Sequence, residues 1–172
     1  MTNPLRNILI AIGTCLTAVS NNYANDYPLA TDVATINALV AAYYEVISGP
    51  KGYTYNIARD QSLHAPQAII TRTDDDGLLE RHDLSTEHVP LTATYSEGLF
   101  EVEIGRIVEQ YGNIAHAWSS YEVRNTPDGP AISRGISSVS MYFDEGRWWI
   151  ASWSTQPEGD QPIPAKYIGG ED

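Results

Sequence analysis

Polar side chains recur at even spacing within one stretch of the chain, at His116, Ser120 and Glu122, with Trp118 between them. Because side chains alternate along a β-strand, all four share one face if this stretch is a strand. The pattern indicates proton transfer, with His116 as the acid–base group and Glu122 as its orienting partner. Since six residues of strand span about 20 Å, the two would meet only through a neighbouring strand. Alternatively, His116 is a hydrogen-bonded core histidine and Glu122 is solvated or paired with arginine.

Arg134 is a lone cation among apolar and small residues of the next predicted strand. It either forms a structural ion pair with Glu122 or Glu103, or it holds a carboxylate or carbonyl group of a ligand. The aromatic candidates either line a pocket or simply pack in the core or in a dimer interface. The predicted catalytic residues are thus His116 and Glu122, and the predicted ligand-binding residues are Tyr43, Tyr44, His64, Trp118, Ser120, Arg134 and Trp153.

The sequence predicts no metal site and no cofactor. The histidines His64, His82, His88 and His116 have neither the i,i+4 helical spacing nor the His-x-His strand spacing of metal ligands. Residues 74–77 resemble a calcium loop in composition but lack its bidentate glutamate. The chain also lacks the glycine-rich phosphate motifs and the Gly-x-Ser-x-Gly motif.

The 172 residues suffice for one domain with a proper core. Because 22 acidic residues face only 10 basic ones, the formal net charge is −12. This charge argues against nucleic-acid binding, because the chain offers little to replace the condensed counterions of a phosphate backbone. Anionic membrane surfaces are disfavoured for the same reason.

Residues 1–24 resemble a secretory signal, with Arg6 before an apolar run over residues 8–19 and small residues after it. The run is too short to span a bilayer, so we expect a periplasmic or secreted protein with no stable membrane span. Cys15, the only cysteine, lies in this segment, so the mature chain would lack thiol chemistry. The alternatives are a hydrophobic N-terminus of a cytosolic protein and a lipid-attachment site at Cys15.

The elements that must position these residues are a helix and a long meander. Apolar periodicity predicts a helix over residues 32–48, capped by Thr31 or Asp32, and a short helix over 57–63. A short helix is also expected near Pro90, and irregular chain from residue 156. Strands are predicted over residues 67–73, 101–110, 113–124, 132–143 and 147–155. The last four read as an antiparallel meander, and the class is α+β.

Three fragments carry a family resemblance. Residues 65–70, Ala-Pro-Gln-Ala-Ile-Ile, are similar to the opening of the first strand in the SnoaL-like group of the nuclear-transport-factor-2-like (NTF2-like) superfamily. Residues 112–122, beginning Gly-Asn-Ile-Ala-His, and residues 144–150, Asp-Glu-Gly-Arg-Trp-Trp-Ile, resemble a later strand and the last hairpin of that group. The resemblance implies a cone-shaped, curved antiparallel sheet wrapped around an N-terminal helix with one or two short helices. It further implies a single domain over residues 25–172, an interior pocket and a homodimer formed through the outer sheet face.

The resemblance does not imply one activity. The carboxylate base of the steroid isomerases has no counterpart here, where Thr71-Arg72-Thr73 stands in its place. The dehydratase pattern lacks its aspartate, although His64 and His116 supply two histidines. We therefore expect a binding module for a small, partly apolar ligand, in a pocket of Trp118, Tyr43 and Trp153 with Arg134 at a polar end. The alternative is a cofactor-independent lyase, isomerase or cyclase that uses His116.

Overall fold

The computed structural model describes residues 26–74, 76–84 and 94–169. The predicted signal segment, Cys15, His88 and the helix expected near Pro90 lie outside these residues. In the described ranges, no helix combines the length and the apolar character that crossing a membrane requires.

Three short helices precede the sheet: α1 (Ala30–Val33), α2 (Ile36–Ile47) and α3 (Ile57–Leu63). The bounds predicted for α3 are confirmed, but the single helix expected over residues 32–48 is broken before α2. Thr35 causes the break, because its extended backbone and its side chain, which accepts a hydrogen bond from the Ala38 amide at 3.1 Å, make it the N-cap of α2. Asp32 is not a cap; its carboxylate binds Arg59 of α3 instead, at 2.8 Å and 3.1 Å.

Six strands form one curved, unclosed sheet in the order β2-β1-β6-β5-β4-β3. They are β1 (His64–Thr73), β2 (Leu79–Asp83), β3 (Phe100–Tyr111), β4 (Ile114–Arg124), β5 (Ser133–Asp144) and β6 (Arg147–Pro157). The predicted antiparallel meander of β3 to β6 is confirmed. The sheet as a whole is mixed, because β1 pairs with β6 in parallel. Strand β2 was not predicted, and β1 begins three residues before its predicted start at residue 67.

The β5–β6 hairpin turns at Glu145-Gly146, where the two φ angles are 50° and 81°. Two successive positive φ angles define the mirror-image turn whose twist matches a two-residue hairpin, and glycine adopts this conformation without strain. This turn sets the register in which Met141 lies opposite Ile150, and a register shift between Ser140 and Met141 then places Val139 opposite Trp153.

The α2 helix packs on one side of the sheet, here called the inner face, and the opposite side is the outer face. The core lies between α2 and the inner face. Its side chains from α2 include Leu39 and Val40, and the sheet contributes Ala117, Val139 and Ile150. All five are fully buried.

Residues 158–169, here called the C-terminal segment, run over the outer face and end in a 3₁₀ helix, Ala165–Ile168. They pass so close to β3 that a Cβ atom on Gly105 would lie 2.3 Å from the Tyr167 carbonyl oxygen. The ring of Tyr167 lies 5.5 Å from that of Trp118 on β4. This part of the outer face is therefore covered by the chain itself.

Candidate functional site

The predicted site residues divide between the two faces of the sheet. Tyr43, Tyr44 and Trp153 lie in the core on the inner side. His116, Trp118, Ser120 and Glu122 alternate along β4 with the inner-face residues, and Arg134 is paired with Glu122 across the strands, so these five lie on the outer face. A single pocket lined by Trp118, Tyr43 and Trp153 is therefore not formed.

Aromatic rings fill the inner side where the interior pocket was expected. The ring of Tyr43 stacks on that of Trp153, with centroids 3.7 Å apart, and the Tyr44 ring meets Trp153 edge-on at 6.0 Å. Trp153 is 2 % exposed. These contacts make the three rings part of the packed core.

A chain of hydrogen bonds ties α2 to the sheet beside these rings. The Ser119 hydroxyl donates its one proton to the Glu103 carboxylate at 2.5 Å. Because that proton is not available for a second bond, the Tyr44 hydroxyl, 2.8 Å away, must donate to the Ser119 oxygen. Burial raises the pKa of Tyr44, which keeps this hydroxyl protonated. Arg106 binds the same carboxylate through two nitrogens and continues to Asn37 at 2.9 Å.

His64 stands at the junction of α3 and β1, fully buried. Its Nδ1 lies 3.0 Å from the Asp60 backbone oxygen and 4.0 Å from the Asp60 carboxylate. Its Nε2 makes no hydrogen bond within the described residues. The ring packs edge-on against Tyr43 at 5.8 Å. His64 is thus held in orientation by its own helix, and it lies on the opposite side of the sheet from His116.

His116 lies on the outer face, half-buried, with Nε2 2.9 Å from the Ser138 hydroxyl. Its ring meets Trp118 edge-on at 5.2 Å. The residue opposite His116 on β3 is Glu109, and both border an open concave region of about 290 Å³ near the β3–β4 turn. Glu122, proposed as the orienting partner of His116, is instead occupied by arginines further along the strand.

A second group of residues on the outer face, apart from His116 and its neighbours, consists of four charged side chains and is here called the charge cluster: Glu122, Arg124, Arg134 and Glu158. Arg124 donates to Glu122 at 2.6 Å and 3.2 Å, and Arg134 lies 3.4 Å from Glu122 and 3.6 Å from Glu158. Two positive and two negative groups compensate one another. The ion pair of Arg134 with Glu122 is the structural alternative foreseen from the sequence.

A groove of about 520 Å³ opens beside the charge cluster, between the sheet and the start of the C-terminal segment. It is lined by Ile136 and by residues 156–164, and is here called the C-terminal groove. Glu158 shapes it, because its amide donates to the Arg134 carbonyl and its carboxylate accepts from the Ile163 amide, each at 2.8 Å. Small-molecule sites commonly enclose 300–1,000 Å³, so this groove has the usual size and the region beside His116 falls just below it.

Ser120 lies next to the groove floor. It is paired with Ile136 across β4 and β5 and is fully buried, yet its hydroxyl has no hydrogen-bond partner among the described residues. Ser120 is not among the residues that line the groove, so its hydroxyl is a buried polar group beneath the groove rather than part of its surface.

The sequence interpretation missed several residues that the structure brings into these groups, namely Asp60, Arg106, Glu109, Ser119 and Glu158. The three-residue spacing of Glu103 and Arg106 was a readable signal, but a β-bulge between Glu103 and Gly105 places them on one face against simple alternation. In the described ranges, no three histidine, cysteine, aspartate or glutamate side chains converge as metal ligands would.

The sequence matches no protein-family model and no curated protein. Its structure is similar to a Nostoc punctiforme protein of unknown function with a cystatin-like fold (14 % identity, TM-score 0.57, 74 % of this chain and 91 % of that one). It is also similar to an NTF2-like protein of unknown function from Silicibacter pomeroyi (17 % identity, TM-score 0.55, 73 % and 94 %). A third similar structure is an NTF2-like protein with a cystatin-like fold from Novosphingobium aromaticivorans (10 % identity, TM-score 0.57, 72 % and 79 %). At these identities the likeness concerns the fold.

Proposed function

We propose that this chain of NTF2-like fold is a binding module of the SnoaL-like type, and that it takes a small, partly apolar ligand in the C-terminal groove. One observation carries the proposal: the groove has a volume of about 520 Å³ and combines apolar side chains, such as Ile136 and Ile163, with polar ones at its rim. Binding sites for small molecules have this composition. Arg134 stands at the polar end, through its ion pair with Glu158.

The test compares the small molecules that co-purify with the wild-type chain and with two variants, by native mass spectrometry. Gly159 lines the groove, and a Cβ atom on it would meet nothing within 4 Å, so the ring added in Gly159→Phe can be accommodated and should compete with the ligand for space. The ligand is expected to disappear from this variant and to persist in His116→Ala, which lies outside the groove. Full ligand occupancy in Gly159→Phe would sink the proposal.

A second candidate function is a cofactor-independent lyase, isomerase or cyclase with His116 as the acid–base group. The observation in its favour is that His116 borders a concave region together with Glu109, a second titratable group. Proton transfer can be followed without knowing the reaction, through deuterium uptake from D₂O into the C–H positions of a co-purified ligand. Deuterium uptake that occurs with the wild type and not with His116→Gln supports catalysis. If the wild type itself shows no uptake, the proposal that His116 is an acid–base catalyst is wrong.

We also propose that the module is a homodimer formed through the outer face. Support comes from apolar side chains exposed near the β3–β4 turn: Tyr111 is 86 % exposed, Ile114 62 % and Trp118 37 %. Exposed apolar groups of this kind mark contact surfaces. Light scattering should give twice the monomer mass, and Ile114→Glu should give the monomer mass. A monomeric wild type at micromolar concentration refutes the dimer.

Export to the periplasm or the exterior remains part of the proposal, on the strength of residues 1–24. Sequencing the N-terminus of protein recovered from the producing cell tests it. A chain that begins between residues 19 and 26 is expected, whereas an intact Met1 excludes cleavage.

A further inference from the structure

The C-terminal groove has a charge pattern that selects among ligands, and this inference rests on the proposed function. Arg134 is linked to the groove through its ion pair with Glu158, and the sequence alone allowed it as a holder of a ligand carboxylate. Its guanidinium already lies 3.4 Å from Glu122 and 3.6 Å from Glu158. With Arg124 also bound to Glu122, the charge cluster is neutral as a whole. An anionic ligand would have to compete with two carboxylates that are covalently part of the chain.

Asp160 adds a further negative charge to the groove lining. It is exposed, and it forms no ion pair within the described residues. The groove therefore carries one uncompensated carboxylate beside a neutral cluster, in a chain whose formal net charge is −12. A cation gains from this field and an anion loses.

The other residues that line the groove are largely apolar, so they favour a cationic ligand whose remaining atoms form an apolar carbon skeleton. Ile136 forms the floor on β5, and three prolines, at positions 157, 162 and 164, line the wall with Ile163. Ser120, on the neighbouring strand, is paired with Ile136 but does not itself line the groove.

We propose that the C-terminal groove binds small organic cations: primary amines or ammonium compounds with an apolar body, whose charge faces Asp160 and whose carbon skeleton packs on Ile136 and the prolines. Neutral analogues bind more weakly and carboxylates more weakly still. Specificity thus comes from an arginine whose charge two carboxylates already compensate, although its Nε makes no hydrogen bond within the described residues.

Three probes of nearly equal size separate the effect of charge from that of shape: cyclohexylmethylamine, cyclohexylmethanol and cyclohexanecarboxylate. Their binding to the full chain is measured by calorimetry, at low and at physiological ionic strength. The amine should bind tightest, and its affinity should fall with added salt, because exposed charges are screened within about 8–10 Å at physiological ionic strength. The affinity of the alcohol should not change with salt.

Asp160→Asn should weaken amine binding by up to about fivefold, the range of an exposed ion pair, and should leave the alcohol unaffected. The matched control is Asp128→Asn, which makes the same charge change at an exposed site in the β4–β5 loop. If the alcohol or the carboxylate binds as tightly as the amine, the preference for cations is wrong, but the proposal that the C-terminal groove is the binding site still holds. If Gly159→Phe leaves the affinity of every probe unchanged, the proposal that the C-terminal groove is the binding site is wrong.

Discussion

Replacing Tyr44 by phenylalanine removes one hydroxyl from the hydrogen-bond chain that links α2 to the sheet, and little else. Tyr44 donates to Ser119 at 2.8 Å, and Ser119 donates to Glu103 at 2.5 Å. A buried hydrogen bond contributes about 0.5–1.5 kcal/mol net, so Tyr44→Phe should lower the free energy of unfolding by about 1 kcal/mol. In a domain of this size that corresponds to a fall in Tm of about 2–4 °C.

Ser119→Ala removes both bonds of the serine, one of them to an ionised carboxylate, and should cost about 2–4 kcal/mol. If the two residues act as one chain, the Tyr44→Phe/Ser119→Ala double variant should cost about 1 kcal/mol less than the sum of the single changes. Urea unfolding of the four proteins measures this coupling. Asp128→Asn, at an exposed position in the β4–β5 loop, is the control and should lie within about 0.5 kcal/mol of the wild type. If the costs of the two single changes add within about 0.3 kcal/mol, the two hydrogen bonds are not coupled, which would falsify the reasoning.

The remaining predictions concern pH and packing. Because burial raises the pKa of Tyr44, the folded state holds this proton longer than the unfolded state, so stability should fall as pH rises above about 10, and less steeply in Tyr44→Phe under alkaline titration. Gly105→Ala should free the C-terminal segment to limited proteolysis, since its Cβ would lie 2.3 Å from the Tyr167 carbonyl oxygen, whereas Gly159→Ala should not. Trp153→Ala should cost about 3–5 kcal/mol in urea unfolding, and Trp118→Ala, on the outer face, distinctly less; equal costs would contradict the assignment of the two tryptophans to different faces.

Local patterns in the sequence were sufficient for the meander and for α3. Strands β3 to β6 are dense in β-branched and aromatic residues with turn residues between them, and α3 ends where the predicted helix ends. Strand β2 escaped notice because Leu-Glu-Arg-His-Asp has no alternating apolar pattern and becomes a strand only by pairing with β1. The break before α2 escaped because apolar spacing continues across Thr35, and only the cap geometry reveals it.

The site was harder to predict than the fold, because alternation tells which residues share a face but not which face meets the helix. The sequence correctly grouped His116, Trp118, Ser120 and Glu122 on one side of β4. The contact of Tyr44 with Ser119 and the burial of Ala117 show that the opposite side is the inner one. The C-terminal groove depends on Glu158 reaching back to β5, a contact between residues far apart in sequence that periodicity does not register.

The location of the proposed ligand follows from where hydrogen-bonding capacity remains. On the inner face, Tyr44, Ser119, Glu103 and Arg106 already satisfy one another, so a guest would have to break bonds before making any. The Nε2 of His64 has no hydrogen-bond partner within the described residues, but the His64 ring packs directly against Tyr43. On the outer face, the C-terminal groove is open, and Asp160 in its lining forms no ion pair within the described residues, so a cationic ligand there would gain an interaction without displacing one. This difference is the reason for placing the proposed ligand in the outer groove rather than in the expected interior pocket.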